Sequence, residues 1–166
     1  MHDVRQISDL VVSRSAGLTL YARQWVDRAT ADDVVQTALV SLLSQRKSPV
    51  DPMAWMYRAV RNAAIDALRA NSRRHRREQL TALNTPGWFE PSPGDALDAA
   101  AAEAVLRQLP VDAREVVVMR LWGDLGFTAI AELLDISVST AHARYSDALI
   151  KLRQAMEQPC KTTTSK

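Results

Sequence analysis

An all-α fold, in two small helical domains joined by a flexible linker, is what the sequence predicts, and three features predict it. Apolar residues recur at helical spacing over most of the 166 positions. No stretch alternates apolar and polar residues between turn signals as a half-buried strand would. The segment NTPGWFEPSPGD, Asn84 to Asp95, gathers three prolines and two glycines between helical patterns, which marks a linker. The length suits one large domain or two small ones, and an apolar content of 47% suffices for packed cores.

In chain order, a first helical stretch spans about Val4 to Arg28, with an interruption near Gly17. A second helix starts at Thr30, where Thr30 and Asp33 have the spacing of a capping box, and runs to about Arg46. After a break at KSPVDP, Asp51 is placed to cap a third helix, with Pro52 at its first position, where the missing N–H costs nothing. This helix continues to about Arg77. Beyond the linker, helices are expected over 96–108, 112–122, 128–135 and 138–157, with Asp112 and Glu115 as a cap-like pair at the start of the second.

Charge is unevenly spread. Residues 1–80 hold 13 Lys/Arg against 8 Asp/Glu, a net of +5, and residues 105–157 hold 6 against 7, a net of −1. The positive field is therefore concentrated between Arg58 and Arg77. It suits a polyanion, or it is a solvated helix face.

Around the third helix, Met53, Met56, Val60, Ala63, Ala64 and Ala67 gather on one side as the expected buried face. Trp55, Arg58, Asn62, Asp66, Arg69 and Arg73 fall in one arc opposite, with Arg74 beyond it. Guanidinium groups neutralise phosphates, and an aromatic ring beside them can stack on an unpaired base. Trp55 could equally pack on a neighbouring helix, with Asp66 pairing locally to Arg69. In the second helix, Val34, Val35, Ala38, Leu39, Leu42 and Leu43 are the expected buried side. Asp33, Gln36, Thr37, Val40 and Ser44 point outward, on a face that suits either a protein partner or plain solvent.

The segment TAIAELLDISVSTAHARYSDALIKLR, from Thr128 to Arg153, has the pattern of a helix-turn-helix. Ile130, Leu133 and Leu134 are apolar at helical spacing, Ala131 is small where two helices approach, Asp135 stands at the left-handed position of the turn, and Ser137 can cap the second helix. Ser139, Thr140, His142, Arg144 and Tyr145 would then be offered to base edges and phosphates. An ordinary helical hairpin has a similar pattern. The net negative charge of this half implies weak DNA binding alone, so affinity must come from elsewhere in the molecule or from a large partner.

Other functions find little footing. No run of eighteen apolar residues exists for a membrane span, and the first ten residues lack the pattern of a secretory signal. One cysteine, Cys160, cannot form an internal disulfide, and a reducing cytoplasm is expected. Three scattered histidines and no Gly-rich phosphate loop or G-x-S-x-G motif predict no catalytic residues, no metal, no cofactor and no enzyme.

Three stretches resemble the sigma-70 family of bacterial RNA polymerase sigma factors. TADDVVQTALVSLL is similar to its polymerase-binding helix, WMYRAVRNAAIDALRANSRRHR to its promoter-opening helix, and the 45 residues from Leu109 to Arg153 to its C-terminal DNA-reading domain. With nothing beyond these pieces, the resemblance is to the small extracytoplasmic-function subfamily. It implies a sigma region 2 bundle at 8–80, a linker at 81–95 and a sigma region 4 helix-turn-helix at 96–157. Core RNA polymerase and promoter DNA are the implied partners, and an anti-sigma factor is a further candidate. Asp32, Asp33 and Gln36 match positions that dock on the polymerase. Trp55, Arg58, Arg61, Asn62, Asp66 and Arg69 match the minus-ten helix, the loop RKSPVD matches a base-capturing segment, and Thr140, His142 and Arg144 match the part of the recognition helix that enters the minus-thirty-five groove. Thr37, Ala129, Ala141 and Asp147 depart from the family pattern. Two other readings stay open: a stand-alone helix-turn-helix regulator, and a sigma-like protein-interaction module.

Overall fold

The computed structural model describes residues 4–78 and 103–157, and every regular element among them is helical. The linker expected at 81–95 and the first part of the helix expected over 96–108 lie outside the described residues; 103–106 form a helical turn. The first stretch is two helices, α1 (Val4–Ser13) and α2 (Ser15–Ala22), and the break falls at Arg14 instead of Gly17. Gly17 lies inside α2 because another segment comes close to it. A Cβ there would lie 2.6 Å from Trp122 Cβ and 3.1 Å from the Tyr57 hydroxyl.

Helix α3 (Arg28–Leu43) begins two residues before the expected Thr30. Its cap is Asp27, whose extended backbone lets Oδ1 accept the Thr30 N–H at 2.8 Å, an arrangement worth about 1 kcal/mol. Leu43, expected inside, is 40% exposed at the end of the helix. Helix α4 (Pro52–Glu78) starts as expected, with Asp51 Oδ1 accepting the Ala54 N–H at 2.9 Å. Met53, Met56, Val60 and Ala64 are buried, while Ala63 and Ala67 lie at the margin. Tyr57 joins the fully buried set, which the periodicity had not shown.

In the C-terminal half, α5 (Val111–Leu121) follows Pro110, and α6 (Phe127–Leu134) and α7 (Val138–Glu157) form the helix-turn-helix. Val116, Val117, Val118 and Met119 are all fully buried, so α5 is covered on every side. Arg114 is buried too. Its Nε and Nη2 donate to the Leu106 and Leu109 carbonyls at 2.9 and 2.6 Å, tying the preceding turn to α5. Burial pulls its guanidinium down to about 10, with Glu115 opposing, so it keeps its charge at neutral pH. Asp112 Oδ1 accepts only the adjacent Ala113 N–H, and Glu115 does not cap the helix.

The two halves share one hydrophobic core. Helices α2 and α4 lie against α5 and α6, and the joint between them is polar at its centre. Tyr21 donates to Glu115 Oε1 at 2.8 Å, and Arg61 Nε donates to the same oxygen at 2.7 Å. Arg23 pairs with Glu103, both side chains being nearly buried. Arg14 reaches Asp124 at 3.5 Å. Rings of Tyr21 and Tyr57 meet edge to face at 5.0 Å, and Gly123 leaves the room that Tyr57 fills: a Cβ there would lie 2.6 Å from the tyrosine ring.

Burial pushes the Tyr21 phenol well above the ordinary tyrosine value, and the Glu115 charge adds to the rise. Burial likewise raises Tyr57, against a lowering influence from Arg14. In the unfolded chain both ionise near pH 10, while the folded chain keeps their protons. A raised value in the folded state means stability that is complete below about pH 10 and is lost above it, by up to about 1.4 kcal/mol per pH unit for each ring. Urea unfolding should therefore show an alkaline loss beginning near pH 10. Tyr57→Phe should shallow it and should not destabilise at pH 7, because the hydroxyl has no hydrogen-bond partner among the described residues. Folded-state titration of both phenols at the ordinary tyrosine value would contradict this account.

Candidate nucleic-acid interface

Helix α4 runs unbroken through 27 residues, so its polar stripe is held on a rigid rod. Arg58, Asn62, Arg69, Arg73 and Arg74 are all exposed along it. Arg69 meets Asp66 at 3.6 Å, as the local pairing anticipated, with both side chains more than two-thirds exposed. Such a pair is worth little in water and yields readily to a phosphate. Trp55 is half-buried and packs against the core, so its ring serves the fold and reaches the stripe only by its open part. Just before it, Val50 stands fully exposed at the end of the loop that leads into α4. Arg61 differs from its neighbours: it turns into the joint toward Glu115, whose carboxylate raises its affinity for the proton against the opposing effect of burial.

The outer face of α3 is separate. Asp32, Asp33, Gln36 and Thr37 are exposed, and Val40 is 64% exposed beyond them. Asp32 accepts a 3.3 Å hydrogen bond from Thr19 and lies 4.0 Å from Arg28, which fixes one end of the face. An acidic, partly apolar surface of this kind repels phosphate and suits a protein partner.

The helix-turn-helix closes as its sequence implied. Asp135 adopts φ 54° and ψ 50°, the left-handed conformation. The Ile136 N–H returns to the Ala131 carbonyl at 3.0 Å, which satisfies the end of α6. Ser137 Oγ accepts the Thr140 N–H at 3.0 Å and caps α7. Ala131 and Ala141 are buried where the helices cross.

The recognition face is less open than expected. Ser139 and His142 are exposed, but Thr140, Arg144 and Tyr145 are half-buried. The Thr140 hydroxyl lies 2.7 Å from Ser137 Oγ, and Arg144 Nε lies 3.3 Å from Asp112. His142 stacks on Phe127 with ring centres 4.1 Å apart, and Tyr145 meets the same ring edge on at 5.5 Å. Arg120 sets its guanidinium 5.3 Å above that ring and donates to the Leu125 carbonyl at 3.0 Å. Phe127 is thus a hub that orients α7. Sequence reasoning passed over it, although an aromatic at the first position of α6, followed at helical spacing by Ile130 and Leu134, was the available signal.

Among the described residues no cluster of histidine, cysteine and carboxylate could hold a metal, and no helix is long and apolar enough to cross a membrane. The exposed features are a cationic rod, an acidic face and a capped helix-turn-helix.

The family model for sigma-70 region 2 matches residues 12–74, and that for sigma-70 region 4 matches residues 99–152. The probable RNA polymerase sigma factor RfaY of Xanthomonas campestris pv. campestris is 27% identical over 141 residues, 80% of this chain. The chain spans about 35% of that relative's length. Among solved structures, the sigma factor RpoE from Bartonella quintana, in complex with the anti-sigma factor NepR, superposes with a TM-score of 0.65 at 18% identity, over 90% of this chain and 94% of that one. CnrH, in complex with the cytosolic domain of CnrY, gives 0.58 at 23% identity, over 93% and 90%. At these identities the superpositions speak for the fold.

Proposed function

Because this chain belongs to the sigma-70 family, with regions 2 and 4 in the form of the extracytoplasmic-function subfamily, we propose that it is a promoter-specificity subunit of RNA polymerase. Asp32, Asp33 and Gln36 on α3 dock on the core enzyme. The α4 stripe of Arg58, Asn62, Arg69, Arg73 and Arg74, with Trp55 and Val50 at its start, binds the unpaired strand at the minus-ten element. Ser139, Thr140, His142, Arg144 and Tyr145 approach the minus-thirty-five duplex, with Arg144 exchanging Asp112 for DNA. The working division is 8–80, 81–95 and 96–157. The protein performs no bond chemistry and acts in the cytoplasm, and an anti-sigma factor is a further partner.

The observation that carries this reading is the placement of an exposed cationic stripe on α4 and an exposed acidic face on α3 within one half of the chain. Phosphate neutralisation and base stacking along the first offset an unstacking cost of a few kcal/mol per step, and the second brings the catalytic machine. The net negative charge of the C-terminal half suits a domain that reads DNA only when tethered to a larger complex. Affinity capture with core polymerase, followed by run-off transcription from candidate promoters, tests the proposal. Association with core and a new start site are expected. A stand-alone regulator would ignore core, and an interaction module would associate without yielding a transcript.

A further inference from the structure

The half of the chain that carries the helix-turn-helix is net negative, so it offers few contacts to phosphate. Its selectivity has to come from how a few side chains are placed. His142 is exposed on α7, yet it is not free to turn. Its ring lies against Phe127, with centroids 4.1 Å apart and planes inclined at 33°. Phe127 is held in turn. It opens α6, meets Tyr145 edge on at 5.5 Å, and receives the Arg120 guanidinium of α5 at 5.3 Å from its centroid. Arg120 is anchored by donating to the Leu125 carbonyl at 3.0 Å. Beside His142, Ala141 is fully buried against the rest of the motif, which keeps α7 from rolling.

Stacking occupies the face of an imidazole and leaves its edge, which bears both ring nitrogens. Base pairs in the major groove present in-plane acceptors, the purine N7, guanine O6 and thymine O4, and a ring N–H can donate to any of them. A side chain whose rotamer is set before contact loses less freedom on binding. A leucine at 127 would fill similar space but would offer no ring face. His142 would then sample several rotamers and spread its hydrogen bond over several acceptors.

We propose that Phe127, held by Arg120, is a positioning residue for sequence readout: it stacks His142 so that the imidazole edge meets one base pair of the duplex. The proposal rests on the sigma-factor reading above. It assigns to a residue outside the recognition helix the discrimination made at that base pair.

The test uses holoenzyme assembled from the full chain and core polymerase, challenged with a duplex library randomised over one helical turn. The bound fraction is sequenced, and helix content is followed by circular dichroism. His142→Ala should lose the preference at one base pair. Phe127→Leu should lower the preference at that same base pair by about 3- to 10-fold, the range expected for loss of an aromatic pair. Preferences elsewhere and the salt dependence of duplex binding should stay native. Phe127→Tyr keeps the ring and should keep the preference. Adding Phe127→Leu to His142→Ala should change nothing further. No lost preference in His142→Ala, a loss spread evenly over all positions, a loss in Phe127→Tyr equal to that in Phe127→Leu, or additive losses would each overturn the proposal. A second measurement needs no change at 127. In the nuclear magnetic resonance spectrum of the native chain, the His142 ring protons, identified by their disappearance in His142→Ala, should lie upfield of those of a free imidazole, because the Phe127 ring current shields them. Unshifted resonances would overturn the stack even if Phe127→Leu unfolds. Failure of the sigma-factor reading is distinct, because it shows as absence of core association by the native chain.

Discussion

Replacing Arg69 and Arg73 together by alanine should lower open-complex formation by about 10- to 100-fold, some 1.4–2.8 kcal/mol, while core association stays within about two-fold. The two residues are four apart on one face of α4, and both are exposed. Arg69 gives up only a solvent-exposed contact with Asp66. Neither side chain supports the core, so the double variant should keep its helix content and midpoint of unfolding. Each lost phosphate contact also removes about 0.7 from the salt dependence of single-strand binding, so the slope should fall by roughly 1.4. Polymerase docking is assigned to α3, whose exposed face carries Asp32, Asp33 and Gln36 and none of the α4 arginines. Permanganate footprinting of the melted region, beside capture of core polymerase, separates the two steps. Equal loss in both assays would show that the division between α3 and α4 is wrong.

How much of this was legible in advance depended on whether the deciding interaction was local. Asp51 with Pro52, Asp135 and Ser137 act within a turn of their own positions, and each does what its residue type suggests. Thr30 misled because Asp27, three residues earlier, satisfies the same backbone donor better. Gly17 misled because a glycine can mark close approach instead of a break, and Trp122, the chain it accommodates, is more than a hundred positions away. Glu115 is the clearest case. Its spacing from Asp112 has the form of a cap, but the helix that carries it is apolar on every side, with Val116, Val117, Val118 and Met119 fully buried. A helix of that kind is covered on more than one face, and a carboxylate directly before its apolar run needs a buried partner. That argument could have flagged Glu115, though not named Arg61 and Tyr21. On the second helix of the helix-turn-helix, the aromatic hub at Phe127 and the Arg144–Asp112 pair, neither of them local, decide how far each expected residue extends.

The pair of Arg23 and Glu103 makes the largest stability prediction. Their side chains are 6% and 9% exposed, and they join the end of α2 to the first described turn of the C-terminal half. Glu103→Ala should lower unfolding free energy by about 3–5 kcal/mol, because it takes a nearly buried carboxylate away from the buried Arg23 guanidinium. The loss should appear as a lower urea midpoint with little change in slope, provided that the halves still unfold together. Replacing both by apolar residues of similar size, Arg23→Met with Glu103→Leu, should restore most of the loss or exceed the native value, since neither charge is then desolvated. This contrast identifies what the pair contributes. A full rescue would show that the pair selects this arrangement of the halves without adding to its strength. A small effect of Glu103→Ala alone would mean that the joint already admits water there.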